Sequence, residues 1–132
     1  MAKAVAITRM EKYRTEIKTG SEHILIADEP FKVGGRDSGA SPTELLAASL
    51  AACSTMTMKM YADRKKWPLE EVDCEIEFQR EIKDSSTTFR KKIIIKGDLD
   101  EEQRKRIFEI SKKCPVHRIL SGSAEIESQL LD

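Results

Sequence analysis

Long apolar runs are missing from this sequence. The longest uncharged stretch among its 132 residues, Leu45 to Met58, has 14 residues. A membrane-spanning helix needs about 20, so this stretch predicts a buried helix and no membrane partner. Aromatics are scarce, at 5%, and the core must therefore come from Leu, Ile, Ala, Val and Met. Net charge is absent, since 23 basic residues balance 23 acidic ones and the sequence pI is about 6.8. Without a basic field, nucleic acid is not an expected partner. Cysteine is sparse and odd in number: Cys53, Cys74 and Cys114. The first residues, MAKAVAITRMEK, contain no apolar leader segment. These two features argue against a disulfide framework. They predict a cytoplasmic protein in which a cysteine pair would be catalytic, redox-active or metal-binding.

What is present is a normal globular balance, 39% hydrophobic and 35% charged. No repeat, low-complexity tract or linker divides the chain, so one domain over residues 1–132 is expected. Val5 and Ile7 alternate with small residues, and Tyr13, Thr15 and Ile17 alternate with charged ones. After a Thr19-Gly20-Ser21 turn, residues 23–27 complete a third strand. Four of the six glycines fall between Gly20 and Gly39, and residues 28–40 read as a loop.

Ser41, Pro42 and Glu44 then spell a helix start, with Ser41 as cap and Glu44 closing a capping box. The helix is expected to run to about Lys65. Its middle, LLAASLAACSTMTM, is apolar or small on every face and predicts burial on all sides. A chain of this size cannot cover such a helix alone, so a second copy is expected. Trp67-Pro68 ends the helix. Val72, Cys74, Ile76 and Phe78 alternate with polar residues in a half-buried strand, and residues 89–96 are its hairpin partner. Asp100 caps a second helix, whose first turn holds Glu101 and Glu102. Cys114-Pro115 breaks it, a short helix VHRIL follows, and Ala124 to Leu130 predicts a final strand. Strands and helices in separate runs give an α+β class.

Each cysteine has a plain and a chemical reading. Cys53 in mid-helix can be an apolar filler, and reactivity there requires a cationic or hydrogen-bonding partner. Cys74 lies on the core face of a strand and reads as structural. Cys114 precedes a proline at a helix start, where a thiolate is favoured. It shares a helical face with Ile107 and Ile110 and should point inward. Cys114 and His117 form a Cys-x-x-His pair that, with Cys53, makes a zinc site an alternative. Glu44 is explained by its cap alone.

The segment GGRDSGASPTELLAASLAACSTMTMKMYADRKKWPLE closely resembles the centre of OsmC/Ohr-type proteins, and CPVHRIL resembles their second cysteine motif. The two cysteines stand 61 residues apart, as the resemblance requires. It implies an OsmC-like fold: an antiparallel sheet with a long buried central helix, in an intertwined homodimer. It also implies a thiol-dependent peroxidase for organic hydroperoxides, with Cys53 peroxidatic and Cys114 resolving it as a disulfide. A dithiol of lipoyl type would be the reductant, no cofactor would be needed, and the role would lie in oxidative-stress defence. An arginine and a glutamate assist the first thiol in this family. The family position for the glutamate is Thr43 here, with Glu44 one residue later. Arg9, Arg14 and Arg36 are candidates for the arginine; Arg36 is favoured because its glycine-rich loop can approach a thiolate.

Geometry adds one constraint. Glu44 and Cys53 are nine residues apart on one helix, about 13 Å along the axis and on opposite faces. Any catalytic contact between them must therefore cross a dimer. The alternative function is an OsmC-like dimer that binds a small apolar ligand without turnover.

Overall fold

Alternating sequence in the first third of the chain builds a meander. The structure is a computed structural model, and it describes residues 2–131. β1 (Ala4–Thr8), β2 (Thr15–Thr19) and β3 (Ile24–Ala27) form an antiparallel sheet in the order β1-β2-β3. A 3-10 turn, Phe31–Val33, follows. The loop then returns so that Ala40 bridges Ala27. This return explains two glycines. A Cβ on Gly39 would collide with the Ile26 carbonyl, and one on Gly35 with the Glu29 carbonyl.

α1 (Pro42–Lys65) starts where the capping signal places it. The Ser41 N–H donates to Glu44 Oε1 at 2.9 Å, and the Glu44 N–H donates to Ser41 Oγ at 3.3 Å. The chain forms two compact units, Met1–Ala47 and Ala48–Asp132, and their boundary falls within α1. In the second unit, β4 (Leu69–Arg80) and β5 (Thr87–Gly97) form a long antiparallel hairpin, with Cys74 opposite Ile93 and Ile76 opposite Lys91. α2 (Glu101–Ser111) carries the capping box of Asp100 and Gln103, and α3 (Pro115–Ser121) starts after Cys114. The class is α+β with antiparallel sheets, as expected.

The core of the second unit is Met58, Ala62, Leu69, Ile95 and Ile107, with Trp67, Val72, Ile93 and Leu99 against it. Aliphatic residues and Met carry it, in line with the aromatic shortage. No helix among the described residues is long and apolar enough to cross a membrane.

One expectation is met within the single chain and one is corrected. As a chain of this size requires, α1 is covered on one face only. Leu50, Ser54, Met58 and Ala62 form one buried stripe at four-residue spacing, whereas Met56 and Met60 are 62% and 57% exposed. One helix packed on one hairpin can cover only one face. The final strand at Ala124 to Leu130 is absent: these residues form no regular element, and Ile126 and Leu130 are 87% and 98% exposed. Alternation becomes a strand only where a sheet edge accepts its backbone hydrogen bonds, and no described strand of this chain does so.

Candidate functional site

The interior thiol site forms where α1, the hairpin and the α2–α3 junction meet. The buried stripe of α1 carries Ser54, and Cys53 beside it is half-buried. Cys114 is completely buried and caps α3, with extended backbone angles (φ −69°, ψ 146°) that Pro115 imposes on the residue before it. Its Sγ accepts the His117 backbone N–H at 3.3 Å and lies 3.7 Å from Ser54 Oγ. All three cysteines are free.

The electrostatics separate the thiols. Burial pushes Cys114 upward, but the His117 N–H, the Cys53 thiol, the Ser54 hydroxyl and the Lys91 charge prevail, and its pKa falls below the ordinary thiol value. Cys53 stands next to Ser54 on α1 and is among the groups that lower the Cys114 pKa, so these two predicted residues fall in one cluster. Cys74 behaves oppositely. Burial raises it, Lys91 lowers it, Cys114 raises it further, and a Ser54 hydrogen bond only partly compensates.

Sequence reasoning missed Lys91 and Ser54. Lys91 Nζ donates to the Ser111 carbonyl at 3.0 Å and lies 3.0 Å from His117 Nδ1. An ammonium can only donate, so Nδ1 accepts and the imidazole proton sits on Nε2. Burial and then the charges of Lys91 and Lys112 lower the His117 pKa, which keeps the ring neutral. The alternative of a zinc site on Cys53, Cys114 and His117 needs a free imidazole nitrogen and converging ligands. The His117 Nδ1 is engaged by Lys91, and among the described residues no group of three His, Cys, Asp or Glu is placed to hold a metal ion. A signal for Lys91 was present in the sequence. Period two puts it in step with Phe89, Ile93 and Ile95, on the apolar face of β5.

A cavity of about 580 Å³ adjoins this cluster, lined by Lys91 and His117 together with Leu50, Phe89, Phe108 and Leu120. That volume is in the usual range for small-molecule sites.

The other predicted residues lie in the first unit. Arg36 is exposed in the loop after the 3-10 turn, and its backbone N–H donates to Asp28 Oδ2 at 3.3 Å. Arg9 and Arg14 are exposed between β1 and β2. Glu44 is exposed and serves the capping box, and hydrogen bonds from the Ser41 N–H and hydroxyl hold its carboxyl below the usual range.

Comparison with known proteins gives a consistent family. A family model described as OsmC-like protein matches residues 35–129. No curated protein matches the chain. Among solved structures, a Psychrobacter arcticus protein named for osmotic stress induction and detoxification response is 22% identical, with a TM-score of 0.77, over 89% of this chain and 87% of that one. An OsmC-like protein from Mycoplasma pneumoniae is 22% identical, with a TM-score of 0.76, over 92% of this chain and 88% of that one. The organic hydroperoxide resistance protein OhrB of Bacillus subtilis is 18% identical, with a TM-score of 0.61, over 89% and 88%. At these identities the likeness to solved structures is one of fold.

Proposed function

This chain belongs to the OsmC-like protein family, and from that premise we propose that it is a thiol-dependent peroxidase for organic hydroperoxides. The observation that carries the reading is the pairing of two unequal thiols. Cys53 is half-buried and reachable. Cys114, beside it, is fully buried and held toward its thiolate form. A peroxide meets the first, and the second waits behind it.

The Cys53 thiolate attacks the outer oxygen of ROOH, the O–O bond breaks, and RO⁻ takes a proton to leave as the alcohol. Cys53 is then a sulfenic acid. The Cys114 thiolate attacks that sulfur and releases hydroxide, which becomes water on protonation. The resulting Cys53–Cys114 disulfide is reduced by an external dithiol, of lipoyl type on family grounds, which leaves as its own disulfide. No cofactor enters this cycle. Leu50, Phe89, Phe108 and Leu120, in the wall of the adjoining cavity beside its polar residues, offer an organic group contacts that hydrogen peroxide cannot use.

The same proposal assigns Arg36 to hold the Cys53 thiolate and Glu44 to orient that arginine from a second subunit. It includes a homodimer, supported by the exposed Met56 and Met60 on α1. It places the protein in the cytoplasm, where a reducing poise keeps thiols free. The same cavity also suits a binding protein without turnover, and one assay separates the two. With dithiol present, wild-type protein should consume organic hydroperoxide faster than hydrogen peroxide. Cys53→Ser should consume none. Cys114→Ser should react once and stop, with sulfenic then sulfinic acid on Cys53 by peptide mass mapping. Sulfinic acid on Cys114 in Cys53→Ser, with turnover intact, would reverse the two roles. No consumption by wild type would leave the binding reading.

A further inference from the structure

Lys91 is out of place by composition and in place by chemistry. It lies on the inner face of β5, between Phe89 and Ile93, and opposite Ile76 of β4. The outward lysines of this strand find carboxylates: Lys92 pairs with Glu77 at 3.0 Å and Lys96 with Glu71 at 2.7 Å. Among the described residues, none of the carboxylate ion pairs involves Lys91. An ammonium removed from water is costly unless it is paired and hydrogen-bonded.

Two hydrogen bonds hold the Lys91 ammonium. One proton goes to the carbonyl of Ser111, the last residue of α2, and one to Nδ1 of His117 in α3. Cys114 sits in the chain between those two anchors. Burial lowers the Lys91 pKa, and the neighbouring thiols oppose that, Cys114 most, then Cys74 and Cys53. These come from three different elements, namely the α2–α3 junction, β4 and α1. The other titratable groups facing the cluster are Lys112 and the neutral His117, and neither can serve as a counter-ion to an ammonium.

We propose that Lys91 is a positioning residue of the thiol site: its ammonium is the counter-ion of the Cys114 thiolate, and its two hydrogen bonds fix the chain on both sides of that thiol. The proposal deepens the peroxidase reading, because it supplies the charge that keeps the resolving thiol ready for a sulfenic acid. The charge pairing itself exists with or without turnover, so its test needs no peroxide.

The test follows the β-carbon NMR signal of Cys114 against pH in reduced, full-length protein carrying labelled cysteine. Lys91→Met should raise the Cys114 midpoint by about one pH unit, which means about tenfold less thiolate at neutral pH. Lys91→Gln, which keeps an amide donor but no charge, should behave like Lys91→Met. Lys91→Arg should stay near wild type. A Cys114 midpoint that does not move in folded Lys91→Met, or one that moves equally in Lys91→Arg, overturns the proposal. If neither uncharged variant folds, the reciprocal measurement decides. Cys114→Ser removes the thiolate and should lower the midpoint of the Lys91 ammonium, read from the NMR signals of dimethylated lysines. An unchanged Lys91 midpoint there also overturns it. Peroxide turnover can fail while these titrations succeed, so the two readings fall separately.

Discussion

The two units of this protein each draw a charge inward, a buried Asp28 in one and a half-buried Lys91 in the other, and they treat it in opposite ways. In the first unit, Asp28 is 2% exposed. Its carboxylate accepts from the backbone N–H groups of Tyr13, Glu29, Arg36 and Ser38 and from the Ser38 hydroxyl. None of those donors titrates near neutral pH, so the cradle has a single state and its role is to hold the loop in shape. In the second unit, Lys91 is surrounded by a neutral imidazole, a carbonyl and three thiols. Its partners can gain or lose protons and can form new bonds. A buried charge with fixed partners builds structure, and one with changeable partners is suited to chemistry.

The sharpest way to test this contrast is oxidation. The second region should change stability with its redox state. A Cys53–Cys114 bridge closes a loop across 61 residues and, in the chain-entropy description, stabilises the protein by roughly 4 kcal/mol less any strain. Calorimetry should show a higher melting temperature after one equivalent of organic hydroperoxide, reversed by dithiol, and no rise in Cys114→Ser. A rise that survives in Cys114→Ser would locate the bridge elsewhere.

The first region should instead respond to shape. Gly35→Ala places a Cβ against the Glu29 carbonyl and 2.8 Å from Asp28 Oδ1. The backbone of the cradle must shift, at a cost of about 1–3 kcal/mol, measurable by denaturant unfolding. Acid should attack the same place. The Ser38 hydroxyl, opposed by burial and joined by the Ser38, Tyr13 and Glu29 amides, holds the Asp28 carboxyl far below its ordinary value of 3.8. The unfolded chain therefore binds this proton more tightly than the folded one. The contribution is complete above the ordinary value and drains away as pH falls below about 4. Asp28→Asn should be less stable at neutral pH and should lose this part of the acid sensitivity. Identical acid profiles for the two proteins would mean that the cradle does not hold the charge.

Legibility in the sequence followed the range of the interactions. The capping box at Ser41, the cap at Asp100 and the break at Cys114-Pro115 depend on residues within one turn, and all three were readable; that Gln103 completes a box with Asp100 was not read. The hairpin was readable because alternation and turn are local. The inward Cys114 followed from its spacing to Ile107 and Ile110. Lys91 was harder, because its lysine code spoke for solvent while its register spoke for the core, and only the packed thiols resolve that conflict. Ser54 looked like one more small residue in LLAASLAACSTMTM. The segment from Ala124 to Leu130 misled because alternation records a face and says nothing about whether an edge is free to pair. The exposed Met56 and Met60 accord with the reading that one chain cannot cover a helix apolar all round.

The smallest predicted effect belongs to Ser54, and it tests how finely the second region is tuned. Ser54 Oγ is completely buried and lies 3.7 Å from Cys114 Sγ, a long contact to a soft acceptor. It also lowers the Cys74 pKa, against the burial that raises it. Removing the hydroxyl takes a donor from Cys114 in its charged form, so its midpoint should rise. The rise should be small, because the contact is long and the His117 N–H and the other neighbours of the thiol stay in place. Stability should barely change, since the lost hydrogen bond is offset by no longer burying a hydroxyl. Ser54→Ala therefore predicts a native melting temperature, a Cys114 signal displaced slightly upward and a Cys74 signal displaced the same way, because both thiols lose the same donor. A shift as large as that of Lys91→Met would make the hydroxyl, and not the ammonium, the main support of the thiolate. No shift at either cysteine would reduce the 3.7 Å contact to packing and leave Lys91 and the His117 N–H as the groups that set the site.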